Sequence, residues 1–286
     1  MTSIDLKRNG AVAGPLLMIA AGALFAGANT AVQAAGMTFG MAPATTAFWQ
    51  YAVALALAAP MLGWSSWRTR QPGWHILRVG FAVIGVQMWV AGLAVVPIWQ
   101  AIALILSSPL FVTLGAAFFL GECLTWQRAG AVFAGAAGGV IILAPWTDSF
   151  SLNALLPVGA AAFWAASSLV TKHLAERDSA ATLTLYLLVM LVPLNAGFAA
   201  GAGFAISGQA VWVVTLAGLL TALAQYALAG AYRLTDAAYL QPFDHVKLPL
   251  NVLAGIVVFG FAPPGLMWLG ASIIFAACAW IWQDET

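Results

Sequence analysis

Charge is what this chain has least of. Its 286 residues include 10 Lys or Arg and 9 Asp or Glu, 7% of the total, against 63% hydrophobic residues and a mean hydropathy of +0.95. A soluble domain commits about a quarter of its residues to charge, so a freely soluble globule is excluded. The net charge of +1 offers no basic surface, and no nucleic-acid partner is expected. Cysteine is almost as scarce: Cys123 and Cys278 are too few for a disulfide framework and read as packing residues near one end of their helices. No Walker-type phosphate loop, zinc-ligand spacing or nucleophile and base arrangement occurs, so no cofactor, no metal and no enzymatic chemistry are expected.

What the chain has instead is apolar runs of about 20 residues, the length of a membrane-crossing helix; barrel strands would alternate over about 10. Ten such runs are predicted, over 11–32, 44–64, 76–96, 99–120, 127–144, 154–171, 181–205, 211–231, 237–260 and 264–282. The expected class is therefore an all-α polytopic membrane protein, one membrane domain over 1–286, with the lipid bilayer as its surroundings. The first run follows Lys7 and Arg8 but is long for a signal peptide, and it is taken as the first span. Lys7, Arg8, Arg68, Arg70, Arg78, Arg128, Lys172, Arg177 and Arg233 all fall on one side of this arrangement, which makes both termini cytoplasmic. Trp64, Trp67, Trp74 and Trp126, near span ends, suit the interfacial belts.

The two halves resemble each other. A shift of 140 residues lays Pro109-Leu110 on Pro249-Leu250, Gly115 on Gly255, Phe119 on Phe259 and Gly130-Ala131 on Gly270-Ala271. A shift of 138 lays Gln87 on Gln225, and one of 139 lays Asn29 on Ser168. A repeat of five spans reverses its own direction, so two inverted five-helix repeats are predicted, about 11–144 and 154–282. Such repeats place a binding site near the midplane, at their interface.

The stretch Gln241 to Asn251 is the most unusual. At ~1.5 Å rise per residue, Asp244 and Lys247 lie ~12 and ~16 Å into their run. Ionisable groups at that depth normally face a protein interior or a wet cavity. Asp244, Lys247 and Asn251 form one helical stripe, with Gln241 and His245 beside it. Pro242 and Pro249 bracket the segment, and Pro109 stands beside Ser107 and Ser108 in the paired span; all three prolines are candidate hinges. Polar and aromatic neighbours at bilayer depth add Trp164 with Ser167 and Ser168, Trp99 with Gln100, Gln87 with Trp89, and Gln225 with Tyr226. Candidate substrate-binding residues are Asn29, Gln87, Trp99, Ser107, Trp164, Ser168, Gln225, Tyr226, Asp244, His245 and Lys247.

The segment Ser107-Ser108-Pro109-Leu110-Phe111-Val112 through Phe119-Leu120-Gly121-Glu122, followed by Gly130 and small residues to Gly139, resembles the hallmark block of the EamA-type drug/metabolite transporter superfamily. The second half departs from it, because Gly260 is followed by Phe261 where that block has Gly-Glu. Within the superfamily the chain is most similar to bacterial exporters of aromatic and other neutral amino acids. The resemblance implies alternating access through a central cavity, a bacterial inner membrane location and a small-molecule substrate. For an amino acid, Lys247 would meet the carboxylate and Asp244 the ammonium, with His245 titrating if a proton moves. The bland alternative is that Asp244 and Lys247 pair with each other. A passive facilitator or channel, or a carrier of a nucleobase, sugar or drug, stands as the other functional reading. Small residues in the fifth and tenth spans suit scaffold packing, with a homodimer face as an option.

Overall fold

The computed structural model describes residues 3–61, 67–119, 126–147, 150–175, 177–206, 208–234, 243 and 246–285. Among these the secondary structure is helical, with no strand. The helices are α1 (Ser3–Met37), α2 (Pro43–Ala58), α3 (Pro72–Val95), α4 (Ile98–Ile105), α5 (Ser108–Phe119), α6 (Trp126–Leu143), α7 (Leu155–Ala175), α8 (Ala180–Ala202), α9 (Gly208–Leu234), α10 (Lys247–Phe259) and α11 (Gly265–Glu285). Six helical stretches are long and apolar enough to cross a membrane: Ala13–Met37, Pro72–Val95, Ile98–Gly115, Leu152–Thr171, Ala181–Ala202 and Gly208–Leu228. Asp244, His245, Pro242 and Cys123 lie outside the described residues.

Local chemistry sets the ends. Prolines open α2 and α3, where a missing N–H costs nothing and the fixed φ suits the first turn. Ser179 caps α8 by accepting from the Thr182 amide at 3.1 Å. Gly260, at φ +70°, closes α10 in the left-handed region that a side chain would resist.

The predicted run 99–120 is not one helix. It breaks at Leu106-Ser107 into α4 and α5, and Ser107 Oγ donates to the Leu104 carbonyl at 2.6 Å, competing with the ladder at the break. Pro109 then sits in the first turn of α5, and Pro249 likewise in the first turn of α10. Neither interrupts a ladder; each tolerates a helix start.

Helices pair across the chain rather than only with their neighbours. α1 packs on α9, α3 on α7, α6 on α11, and α2 on α8 and α9; α5 also meets α7, and α1 and α4 meet α10. Lipid gives no hydrophobic drive for such pairing, so close backbone approach supplies the packing. The seam between α6 and α11 is the tightest example: a methyl on Gly138 would stand 2.7 Å from the Gly270 carbonyl oxygen, and one on Gly270 2.6 Å from that of Gly138. The main buried cluster gathers Val32, Val86, Trp89, Leu93, Ile98, Ile102, Ala160 and Ala217 from α1, α3, α4, α7 and α9. It lies directly against the polar groups described next.

Candidate functional site

Where α1, α3, α7 and α10 converge, four polar and aromatic side chains form a linked set. The Trp89 indole Nε1 donates to Asn29 Oδ1 at 3.2 Å, Asn29 Nδ2 donates to Asn251 Oδ1 at 3.2 Å, and Asn251 Nδ2 donates to the Lys247 carbonyl at 2.6 Å. The direction of this chain follows from chemistry. An indole only donates, so Asn29 must turn its oxygen to Trp89 and its amide nitrogen to Asn251, and Asn251 must then donate onward. Asn251 is fully buried, and Trp89 nearly so. A buried amide without partners costs about 1–3 kcal/mol, which is why both asparagines are tied in.

Trp164 completes the set from α7, its ring 5.7 Å from that of Trp89 and tilted by 49°. Gly85 makes room for it, since a methyl there would lie 2.6 Å from the Trp164 Nε1. Lys247, half-buried, begins α10 against Gly22 of α1, whose added methyl would sit 3.7 Å from the Lys247 Cβ. Two indoles and an amide pair thus stand together, drawn from α1 and α3 in the first half and α7 and α10 in the second. Such a wall suits a flat ring system with a hydrogen-bonding edge.

Of the residues expected from the sequence, Asn29, Trp164 and Lys247 fall in this set. Gln87 does not: its Nε2 donates to Asn195 Oδ1 at 2.7 Å, tying α3 to α8. Trp99 packs half-buried on the cluster of Leu104, Leu110 and Ile274, and its neighbour Gln100 reaches the Ile142 carbonyl. Ser107 serves the break before α5. Ser168 is exposed, while Ser167 beside it is buried and donates to the Arg78 carbonyl at 3.1 Å. Gln225 is half-buried on α9, and Tyr226 is 58% exposed on that helix's outer side. Asp244 and His245 lie outside the described residues. Trp89 and Asn251, not among the expected substrate contacts, occupy the centre; Asn251 carried a signal as the last member of the stripe with Lys247.

A second polar set lies where the sequence concentrates Arg68, Arg70 and Arg177. His75 Nε2 and Asp178 Oδ2 are 2.8 Å apart, with side chains 0% and 6% exposed. The Thr69 hydroxyl donates to the same carboxylate oxygen at 2.7 Å. The Tyr186 ring stacks on His75 at 4.5 Å, and its hydroxyl donates to the Trp67 carbonyl at 3.1 Å. Arg78 Nη1 donates to the Leu183 carbonyl at 2.9 Å. None of these residues was singled out as a site from the sequence.

A bundle of membrane-length helices with buried amides and paired indoles at its centre defines a multi-pass membrane protein built to handle a small molecule. The chain belongs to the EamA-like transporter family, whose model matches residues 13–144. It is 49% identical over 99% of its length to a riboflavin transporter of Rhizobium johnstonii, of which it covers 95%. It is also 49% identical to a riboflavin transporter of Vibrio cholerae, covering 96% of this chain and 94% of that one. More distantly, it is 27% identical over 78% of its length to an S-adenosylmethionine uptake transporter of Rickettsia felis, 76% of which is covered. A solved crystal structure at 20% identity shares the fold, with a TM-score of 0.62 over 94% of this chain and 96% of that one. The chain is thus a transporter and not an enzyme.

Proposed function

We propose that this protein is a secondary carrier of riboflavin, moving it into the cell across the bacterial inner membrane by alternating access, with both termini cytoplasmic. The observation that carries this is the identity of 49% to the Rhizobium johnstonii riboflavin transporter over almost the whole of both chains. Amino-acid export, expected from the family resemblance, gains no support from relatives whose cargoes are named as riboflavin and S-adenosylmethionine. Inward movement replaces export because the S-adenosylmethionine relatives are named for uptake.

The architecture we infer is one membrane domain of ten spans in two inverted halves, α4 and α5 together forming the fourth span. Helix pairing supports it: exchanging the halves turns the α1–α9 contact into α7–α3, and leaves α6–α11 and α2–α8 as contacts of a helix with its own counterpart. Individual contacts follow the same exchange. Ser108 of α5 donates to the Ala161 carbonyl of α7, and Lys247 of α10 lies against Gly22 of α1, each residue 139 positions from its counterpart. Trp89 and Trp164 would flank the flavin rings, and Asn29 and Asn251 would read their polar edge. Pro109 and Pro249, at the starts of α5 and α10, together with Pro242 would serve as bending points.

The test is flux of labelled riboflavin, S-adenosylmethionine and an aromatic amino acid in proteoliposomes. Saturable riboflavin uptake accelerated by riboflavin on the far side is expected, with no amino-acid flux. Riboflavin flux without such acceleration would indicate a passive pore, and amino-acid flux alone would overturn the cargo.

A further inference from the structure

Two hydrogen bonds at opposite faces of the molecule are copies of each other. In one, Trp49 Nε1 of α2 donates to the Phe204 carbonyl, in the loop before α9, at 3.0 Å. In the other, the Tyr186 hydroxyl of α8 donates to the Trp67 carbonyl, in the loop before α3, at 3.1 Å. Tyr186 stands 137 positions after Trp49, and Phe204 stands 137 after Trp67. Each bond therefore runs from an aromatic donor near the start of a helix in one half to the loop that opens a helix in the other half.

The two clasps are not equal. At the face carrying Arg68 and Arg177, the Tyr186 ring also covers the fully buried His75, and the Asp178 carboxylate accepts from Thr69 and pairs with His75. Arg78 adds its bond to the Leu183 carbonyl, and Ser167 its bond to the Arg78 carbonyl. At the other face the position of His75 is taken by Trp212, 78% exposed, and that of Asp178 by Met41. There Thr45, donating to the Gly203 carbonyl at 2.6 Å, reinforces the Trp49 bond, and the Phe48 ring meets those of Trp49 and Phe204 edge-on, each at 5.1 Å. An apolar recess of about 340 Å³, lined by Trp49, Val53, Phe204, Ile206, Val211 and Val214, opens beside it.

We propose that these clasps are paired gate latches, and that the His75–Asp178–Thr69 set biases the resting carrier toward closure at the face bearing Arg68 and Arg177. This rests on the two-half carrier described above. A state open at that face must part α3 from the α7–α8 loop, breaking the carboxylate's two bonds and the Tyr186 bond together. The opposite face parts with the loss of the Trp49 and Thr45 bonds and the Phe48 ring contacts, and among the described residues no buried ionisable group loses a partner there. A two-state equilibrium shifts only as far as its states differ in such contacts.

The test reads accessibility and needs no cargo. A Ser167→Cys reporter, in a background with Cys123→Ser and Cys278→Ser, is labelled with a membrane-impermeant maleimide in vesicles of either orientation. Ser167 is 8% exposed, so slow labelling is expected in the parent. Adding Asp178→Ala should speed labelling from the face bearing Arg68 by about tenfold, the scale of one charge-assisted bond, whereas Trp49→Phe should leave it unchanged or slower. Should Asp178→Ala fail to insert, the milder pair Thr69→Val with Tyr186→Phe decides the matter, with a smaller acceleration expected. Unchanged labelling, or equal acceleration by Trp49→Phe, overturns the proposal. Absent riboflavin flux in the same vesicles bears on the cargo alone.

Discussion

The two clasped faces show how one repeated element acquires different weight. Both place an aromatic donor of α2 or α8 on a loop carbonyl across the halves. At one face the donor covers a buried histidine paired with a carboxylate; at the other it borders an apolar recess. Hydrogen bonds between membrane helices contribute about 0.6 kcal/mol on average, so two bare clasps would be nearly balanced. A buried pair behaves differently, because removing one partner strands the other. The repeat supplies matched geometry, and a few substitutions within it supply direction.

Removing the carboxylate should break this contrast most severely. Asp178→Ala strands the fully buried His75 and the Thr69 hydroxyl together, and a loss of about 3 kcal/mol is expected, read as a lower midpoint of thermal unfolding in detergent. A loss under about 1 kcal/mol would mean that water enters the site and that the two faces are closer in strength than their contacts indicate. The α6–α11 seam gives a comparison away from both clasps. Gly270→Ala places a methyl 2.6 Å from the Gly138 carbonyl oxygen, where backbone must move, and about 2 kcal/mol of destabilisation is expected in the same assay. Transport per folded molecule should survive that change if the seam is scaffold. Trp49→Phe keeps the ring and loses one donor, for about 1 kcal/mol, with Tyr186→Phe matching it within about 0.5 kcal/mol if the two bonds are equivalent.

Much of this organisation was legible in the residues. Run lengths and scarce charge gave the membrane class, and the 140-residue offset between Pro109 and Pro249 marked two related positions, read as kinks within spans, where α5 and α10 in fact begin. Trp164 and Lys247 stood out as aromatic or charged groups at bilayer depth, and Asn29 through its match to Ser168 at a shift of 139. What the chain could not reveal is which side of a mostly apolar helix faces the centre. Gln87 and Trp89 are two residues apart on α3 and so point in nearly opposite directions. With α3 enclosed by α1, α7 and α8, no polar face marks the inward one; Gln87 turned to Asn195 and Trp89 to Asn29. Ser167 and Ser168 divide in the same way, one buried and one exposed. The His75–Asp178 pair was hidden for another reason: its members are 103 residues apart and sit among span-end charges that read as a solvated face.

The smallest expected effect is the most discriminating. Trp212 occupies the position of His75 in the other half, 137 residues on, yet it is 78% exposed and faces outward from α9. Trp212→His should therefore change the unfolding midpoint by no more than about 0.5 kcal/mol, the range of exposed substitutions. On its own it creates no latch, because Met41 stands where the carboxylate would be. Combining Trp212→His with Met41→Asp supplies both groups, and with them a means of closing the opposite face. If the faces differ only through these side chains, the pair should speed Ser167→Cys labelling from the face bearing Arg68 further in the Asp178→Ala background, by less than Asp178→Ala itself raises it, since no second threonine stands where Thr69 does. Ile206 holds that place, and its side chain has nothing to donate.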